Sequence, residues 1–270
     1  HMCASEGMEK VKKVDTSKAF RNFSANAENE IHNFRNKNFK SFIENIALPI
    51  SKTEGNSLPV SSFLPYVNGS MLPGSAAYEK RGTTDFIPCW NPENCIQCNF
   101  CSLVCPHAVI RPTVLTEKEI SEAPRFMKHK KMMLMNDFNF AITVSSKDCT
   151  GCGNCEVVCP GIKGKKAIEM HKLDEKSNKE TQEIFDYCNK LPSKPEIFEK
   201  FKETSVKGSQ FKKPLLEFSG ACAGCGETPY AKLATQLFGD RMVIANATGC
   251  SSIWGASFPS TPYTVNEKGK

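Results

Sequence analysis

The pattern of apolar and polar positions predicts a helix near the start of the chain. Within 25–46, apolar residues recur with a helical period, which indicates an amphipathic helix ending before Pro49. The apolar positions are Ile31, Phe34, Phe39, Phe42, Ile43 and Ile46. Residues 51–93 are rich in Ser, Pro, Gly and Asn, so we expect an extended connector there.

The later segments alternate between strand and helix patterns. Apolar residues at every second position from Phe138 to Val144 predict a strand, and the charged segment 117–131 before it predicts a surface insertion. Residues 181–206 show two helical patterns split by prolines. A helix over 228–238 and a buried strand over 242–245 then indicate the opening of an α/β unit.

Composition narrows the class of protein. The apolar fraction of 40% and the charged fraction of 24% are usual for a globular chain and exclude a fully disordered or collagen-like one. No run approaches the roughly 18 to 20 apolar residues of a membrane span. No signal peptide follows His1, which resembles a cloning remnant. We therefore expect a reducing compartment, the cytoplasm or, in an anaerobic eukaryote, a hydrogenosome-like organelle.

Cysteine is the unusual component, with 14 residues, ten of them in three C-x2-C groupings. Two groupings are one motif repeated: Cys95, Cys98, Cys101, Cys105 before Pro106, and Cys149, Cys152, Cys155, Cys159 before Pro160. In two-cluster ferredoxins, three cysteines of such a motif bind one 4Fe-4S cluster and the fourth binds the other. We therefore expect two crossed ligand sets: Cys95, Cys98, Cys101 and Cys159, and Cys149, Cys152, Cys155 and Cys105.

Other uses of these cysteines are a pair of zinc sites or a set of disulfides. Zinc sites usually pair two C-x2-C units across a longer loop, and disulfides would require an oxidising compartment. Gly151 and Gly153 would let the second loop pass close to the cluster. The formal charge of +6 would fall to about +2 with two clusters bound, so we expect neither a nucleic-acid nor a membrane partner.

The third grouping, Cys222 and Cys225, taken together with Cys250, is a weaker signal, because the spacing of these three cysteines also suits a zinc knuckle without its fourth ligand or unligated buried thiols. The surrounding sequence is more specific. The runs Glu217–Lys232 and Ala245–Trp254 resemble the start of the thiamine diphosphate domain in the pyruvate:ferredoxin (flavodoxin) oxidoreductase family. Earlier in the chain, the run from Leu58 to Phe63, the Tyr78–Gly82 run and the two cysteine motifs occur in the same order as in that family.

The resemblance implies an α+β fold built around a two-cluster, bacterial-type ferredoxin-like domain. A small, mostly irregular or helical domain would precede it, and a truncated α/β thiamine-diphosphate-binding domain would follow. The expected divisions are an N-terminal segment 1–24, a Glu-Lys-Arg-type linker domain 25–88, the ferredoxin-like domain 89–172, a helical connector 173–213 and the start of the thiamine domain 214–270.

The resemblance also implies a third 4Fe-4S cluster on Cys222, Cys225 and Cys250, with Glu227 and Cys250 against thiamine diphosphate. The full-length enzyme would use magnesium, pyruvate and CoA, pass electrons to ferredoxin or flavodoxin, and form a homodimer. No cysteine here matches the family's downstream fourth ligand, since Cys3, Cys89 and Cys188 lie elsewhere. We assign no catalytic residue and expect a segment that is not competent by itself.

Three rival functions remain at this point. The chain could be a free-standing ferredoxin-type electron carrier, although the sequence after Phe218, which resembles the thiamine diphosphate domain, argues against this. It could be part of a pyruvate:NADP fusion or of an oxidoreductase for another 2-oxoacid. A zinc-stabilised interaction module is the alternative without redox chemistry.

Overall fold

The computed structural model describes residues 37–256 and 260–270. The described residues up to Ser62 form one compact unit, and those from Phe63 onwards form a second. The chain contains both helices and strands, and the strands pair antiparallel, which is typical of an α+β protein. None of the helices in the described residues is long and apolar enough to cross a membrane.

In the first unit, helices α1 (Lys37–Phe42) and α2 (Leu48–Ser51) are joined by a π-helical turn, Ile43–Ala47. Phe42, Ile43 and Ile46 are buried, as the apolar pattern predicts. The predicted end before Pro49 is wrong, because this proline lies in the first turn of α2, where a backbone donor is not needed. The earlier part of the predicted helix lies outside the described residues.

The segment predicted to be an extended connector contains regular structure. It forms three 3₁₀ turns, Gly55–Ser57, Val60–Tyr66 and Ser75–Tyr78, and then strand β1, Phe86–Trp90. The prediction is therefore wrong over β1. Pro88 conceals this strand in the sequence, but β1 pairs on one side only, so the missing proline donor can be tolerated.

Two antiparallel sheets surround the cysteine motifs. Strand β1 pairs with β5 (Ile168–Lys172), and the three-stranded sheet has the order β2 (Ile110–Leu115), β4 (Asn139–Val144), β3 (Lys130–Lys131). The strand predicted around residues 138–144 is thus confirmed as β4. The first motif lies between β1 and β2, and the second lies between β4 and β5. Because β1 pairs with β5 and β2 with β4, the two motifs are brought face to face.

Helices cover this core. Helix α3 (Phe100–Leu103) and helix α5 (Asn154–Val157) are single turns inside the two motifs. Helix α4 (Glu117–Glu122) begins with a capping box of Thr116 and Glu119. Met127 is buried, so the 117–131 segment is packed in part and is not wholly the surface insertion that its charges predict. The two helical patterns of 181–206 correspond to α6 (Glu175–Cys188) and α7 (Ile197–Lys200), and α8 (Val206–Ser209) follows.

The last segment contains α9 (Thr228–Phe238) and α10 (Cys250–Ala256). The predicted bounds of α9 are confirmed, with Pro229 in its first turn. The buried strand predicted over 242–245 is wrong, since these residues have no strand structure and Val243 is 98% exposed. A buried parallel strand needs hydrogen-bonded neighbours, and the described part of 214–270 forms only an isolated bridge, Leu216 to Tyr263.

Candidate metal centres

The first candidate centre is a cavity lined by cysteines from both motifs. Its walls include Cys95, Cys98 and Cys101 from the first motif and Cys159 from the second. Trp90, Phe140 and Ile168 add apolar surface. The cavity therefore has four thiols, from two parts of the chain, around one space.

The second candidate centre has the reciprocal composition. Its walls include Cys149, Cys152 and Cys155 from the second motif and Cys105 from the first. The atom-free spaces of the two cavities, including their open parts, are about 330 and 320 Å³.

The motif loops bend through backbone conformations that favour glycine. Gly151 and Gly153 have φ values of 66° and 77°. Gln97 and Asn99 occupy the equivalent places in the first motif, with φ values of 55° and 64°. Sequence reasoning missed this pair, although aligning the two motifs places them at the two glycines. The tight loop is thus a property of the motif, whichever residue forms it.

Backbone donors point at three of the thiol sulfurs. The N–H groups of Gln97 and Gly151 donate to Cys95 Sγ and Cys149 Sγ at 3.3 and 3.4 Å. The N–H group of Ala167 donates to Cys159 Sγ at 3.2 Å. Such bonds stabilise negative charge on sulfur and tune the potential of a bound cluster. The donor set therefore fits thiolates that bind iron.

Burial makes the free thiols hard to ionise. Desolvation raises the pKa of Cys149 to about 12, and it raises the pKa values of Cys98, Cys101 and Cys155 as well. Neighbouring cysteines of the same cavity act in the same direction, because their negative charges would repel. Cationic iron would have to compensate for this penalty, so metal binding would release protons.

The zinc and disulfide alternatives find little support in the described residues. Every cysteine in 37–256 and 260–270 is a free thiol. No three Cys, His, Asp or Glu side chains in those ranges are arranged to hold a single metal ion. The thiols surround two spaces instead, which is the arrangement that a multi-iron cluster requires.

Two ion pairs that the sequence did not reveal connect segments near the second centre. Lys80 Nζ lies 2.6 Å from Asp148 Oδ2, directly before Cys149. Arg111 pairs with Glu217. Both pairs join segments that are distant in sequence, so only the tertiary structure brings them together.

The third grouping is arranged differently. Cys222 and Cys250 are exposed and Cys225 is half-buried, so the alternative of three buried thiols is wrong. A Cβ placed on Gly224 would lie 3.6 Å from the Cys152 Cβ atom, which puts this loop beside the second centre. Glu227 accepts a hydrogen bond from Trp254 Nε1 at 3.1 Å, linking it to the helix that begins at Cys250.

A buried histidine also joins the first motif to the last segment. His107 follows Pro106, and its Nδ1 atom lies 3.1 Å from the Ser219 carbonyl oxygen. The Phe218 N–H group donates to the His107 carbonyl at 2.9 Å. Burial lowers the pKa of His107. The segment carrying Cys222 is thus tied to the loop carrying Cys105.

Comparison with known proteins agrees with this geometry. A 4Fe-4S dicluster domain family matches residues 94–161. A second family, EKR, described as a domain of unknown function, matches residues 28–84.

Individual relatives extend the similarity beyond these domains. The chain is 47% identical over all its 270 residues to a pyruvate-flavodoxin oxidoreductase of Enterobacter agglomerans, of which it covers 22%. It is 53% identical over 84% of its length to a pyruvate:ferredoxin oxidoreductase of Moorella thermoacetica, covering 19%. It is 51% identical over 84% of its length to a pyruvate dehydrogenase [NADP(+)] of Cryptosporidium parvum, covering 11%.

The chain spans about a fifth of the length of the first two relatives. Its similarity to them includes the dicluster domain and continues to both sides of it. These matches identify the chain as a segment of the pyruvate:ferredoxin (flavodoxin) oxidoreductase family that carries a 4Fe-4S dicluster domain.

Proposed function

We propose that this chain is the electron-transfer segment of an enzyme that oxidatively decarboxylates pyruvate with CoA to acetyl-CoA and carbon dioxide. Two 4Fe-4S clusters would be held by the crossed ligand sets. The observation that carries the proposal is the composition of the two cavities, each with three cysteines of one motif and the last cysteine of the other. Clusters bound there would supply one-electron transfer.

The position of the last segment indicates the direction in which electrons pass between the two proposed clusters. The loop between Cys222 and Cys225 lies beside Cys152 of the second centre. We infer that electrons enter the pair through the second centre and leave through the first. Ile96 and Phe100, around the first centre, are 39% and 41% exposed, which would let an electron carrier approach.

Glu227 and Cys250 form one wall of the proposed thiamine diphosphate site. The bond from Trp254 orients the Glu227 carboxylate and ties it to the Cys250 helix. Cys222, Cys225 and Cys250 would bind the third cluster with a ligand from elsewhere in the longer enzyme. The start of an α/β thiamine domain, magnesium and a homodimeric assembly belong to the same proposal.

The electron acceptor is proposed to be ferredoxin or flavodoxin. The names of the bacterial relatives mention these carriers, while the Cryptosporidium relative is named for NADP(+) at similar identity.

The crossed ligand sets can be tested in a chain that retains one cluster. Substituting Cys149, Cys152 and Cys155 by Ser should leave about four irons after anaerobic reconstitution. In that background, Cys159→Ser should remove the remaining iron, and Cys105→Ser should not. The matched control is Cys89→Ser, a half-buried thiol outside both sets.

The opposite dependence, on Cys105 and not on Cys159, would show that each motif binds its own cluster. Stoichiometric zinc with little iron in the unsubstituted chain would contradict the redox function as a whole. If the single-cluster background takes up no iron, the same comparison is made in the intact chain. There, Cys105→Ser should change the electron paramagnetic resonance spectrum of the cluster whose signal Cys149→Ser also changes.

A further inference from the structure

The side chain of Lys232 lies inside the cysteine-rich core. Among the side chains whose burial the structure describes, in 39–255 and 260–270, it is the only buried lysine or arginine, with 2% of its surface exposed. It projects from α9, which belongs to the segment after the dicluster domain. Burying an ammonium group is costly unless its environment compensates. This position therefore requires a physical explanation.

Backbone carbonyls surround the ammonium group. Lys232 Nζ donates to the carbonyl oxygens of Ser102, Leu103 and Cys105, the last two at 3.1 and 3.3 Å. A charged ammonium has three N–H donors, whereas a neutral amine has two. Three carbonyl acceptors thus favour the charged form, and no carboxylate is among them. Burial acts in the opposite direction and lowers the pKa of Lys232 to about 8, which leaves the ammonium mostly protonated at pH 7.

The acceptors belong to the first motif, which contributes cysteines to both candidate centres. Ser102 and Leu103 directly follow Cys101, which lines the first cavity, and Cys105 lines the second. The positive charge is therefore held next to one ligand of each proposed cluster. The nearby Arg111 is paired with Glu217, so its charge is largely balanced.

The rest of α9 confirms that this helix is fixed by polar contacts. Thr235 Oγ1 accepts from the Leu215 N–H group at 3.2 Å. Gln236 donates to the Lys212 carbonyl at 2.9 Å and accepts from Gln210 at 3.1 Å. Thr228, Lys232, Thr235 and Gln236 form the buried face of the helix. The helix thus has a defined rotation, which holds Lys232 in place.

A fixed positive charge favours the reduced state of a nearby cluster. Each cluster would be bound by four thiolates, and its reduction would add one more negative charge. The attraction is strong because water is excluded and cannot screen it. Oxidation of the cluster removes that charge and weakens the attraction.

We propose that Lys232 is a positioning residue of the electron path, raising the reduction potentials of both dicluster centres through its buried charge. The proposal rests on the function proposed above. Helix α9 is then part of the electron path, because it holds the lysine that sets how readily the two clusters accept electrons. The reaction is transfer of one electron from an external reductant to an oxidised cluster.

The test is a redox titration of the full 270-residue chain with dithionite, followed by electron paramagnetic resonance. The variants are Lys232→Met and Lys232→Gln, which remove the charge, and Lys232→Arg, which keeps it. Gln also retains two donors for the carbonyls. The matched control is Lys213→Met, which removes an exposed lysine charge.

At the potential that half-reduces the unsubstituted chain, both neutral variants should show about a tenfold lower ratio of reduced to oxidised clusters. A tenfold change corresponds to 59 mV for one electron. Lys232→Arg and Lys213→Met should stay within about twofold. Neutral variants that bind full iron but keep the original potentials would overturn the role of Lys232 and leave the proposed function intact.

An unsubstituted chain that binds no iron would instead overturn the proposed function. If both neutral variants lose their clusters, Lys232→Arg decides the matter. If Lys232→Arg retains its iron and keeps the original potentials, the site requires a positive charge at this position. If Lys232→Arg loses its iron, or has shifted potentials although it keeps the charge, the inference is wrong.

Discussion

Lys80 Nζ lies 2.6 Å from Asp148 Oδ2 and thereby joins the Tyr78–Gly82 run to the residue preceding Cys149. Both side chains are largely buried, with 18% and 5% of their surfaces exposed. Burial raises the pKa of Asp148, and Lys80 opposes this by stabilising the carboxylate. The pair therefore supports the loop that enters the second centre.

Lys80→Met should destabilise the chain by about 3 kcal/mol, because it leaves a buried carboxylate without its cation. For a protein of this size the melting temperature should fall by about 6 to 12 °C, measured at one scan rate. Lys118→Met is the control, since Lys118 and Glu122 form an exposed pair. Its effect should stay below about 1 kcal/mol. Equal losses in the two variants would show that the Lys80 pair has no special role.

Gly161→Ala should impair the first centre more than Gly164→Ala does. Both glycines have positive φ, at 56° and 79°, so alanine strains both positions by a similar amount. A Cβ on Gly161 would also overlap the carbonyl oxygen of Lys165, whereas one on Gly164 meets nothing within 4 Å. Because Gly161 lines the first cavity, iron should be lost faster to a chelator in its variant. Equal rates of loss would contradict the predicted clash.

Glu119→Gln should reduce stability at pH 7 and change its pH dependence. Burial acts to raise the pKa of Glu119, but hydrogen bonds from Thr116 and the ammonium of Lys194 at 2.9 Å lower it overall. A lowered pKa in the folded state gives stability above the unfolded value of about 4.3, which is lost as the pH falls through the folded value.

The measurement for this prediction is denaturant unfolding of both chains from pH 7 downwards, with clusters intact. The unsubstituted chain should be the more stable at pH 7, and the gap should narrow below about pH 4.5. Glu93→Gln, at an exposed position, serves as the control for removing a charge. A gap that widens on acidification would show that the sign is wrong.

The 270-residue chain by itself should not couple pyruvate to cluster reduction. It supplies one proposed wall of the thiamine site, so reactants would not be held together for reaction. With thiamine diphosphate, magnesium, CoA and pyruvate, the visible absorbance of the clusters should remain that of the oxidised state. Dithionite should bleach it, because each of the two proposed ligand sets has all four of its cysteines in this chain. Pyruvate-dependent bleaching would reveal a working site within these residues.

The sequence by itself determined the chemistry of the dicluster region. The repeated spacing of Cys95 to Cys105 and Cys149 to Cys159 specifies two clusters, because loop geometry and thiol chemistry are encoded within a few residues. Local patterns also predicted strand β4 and the bounds of α9. In each case, the relevant interactions lie close together along the chain or follow a short period.

The tertiary structure decided what depends on distant partners. Residues 242–245 have the composition of a buried strand, but the described residues offer them no neighbouring strand, so they remain exposed. The composition of 51–93 predicted a connector, whereas pairing with β5 makes Phe86–Trp90 a strand. A lysine on a helix is usually a surface residue. Lys232 is buried because folding places the carbonyls of the first motif around it, and this arrangement of distant groups leaves no mark in the local sequence.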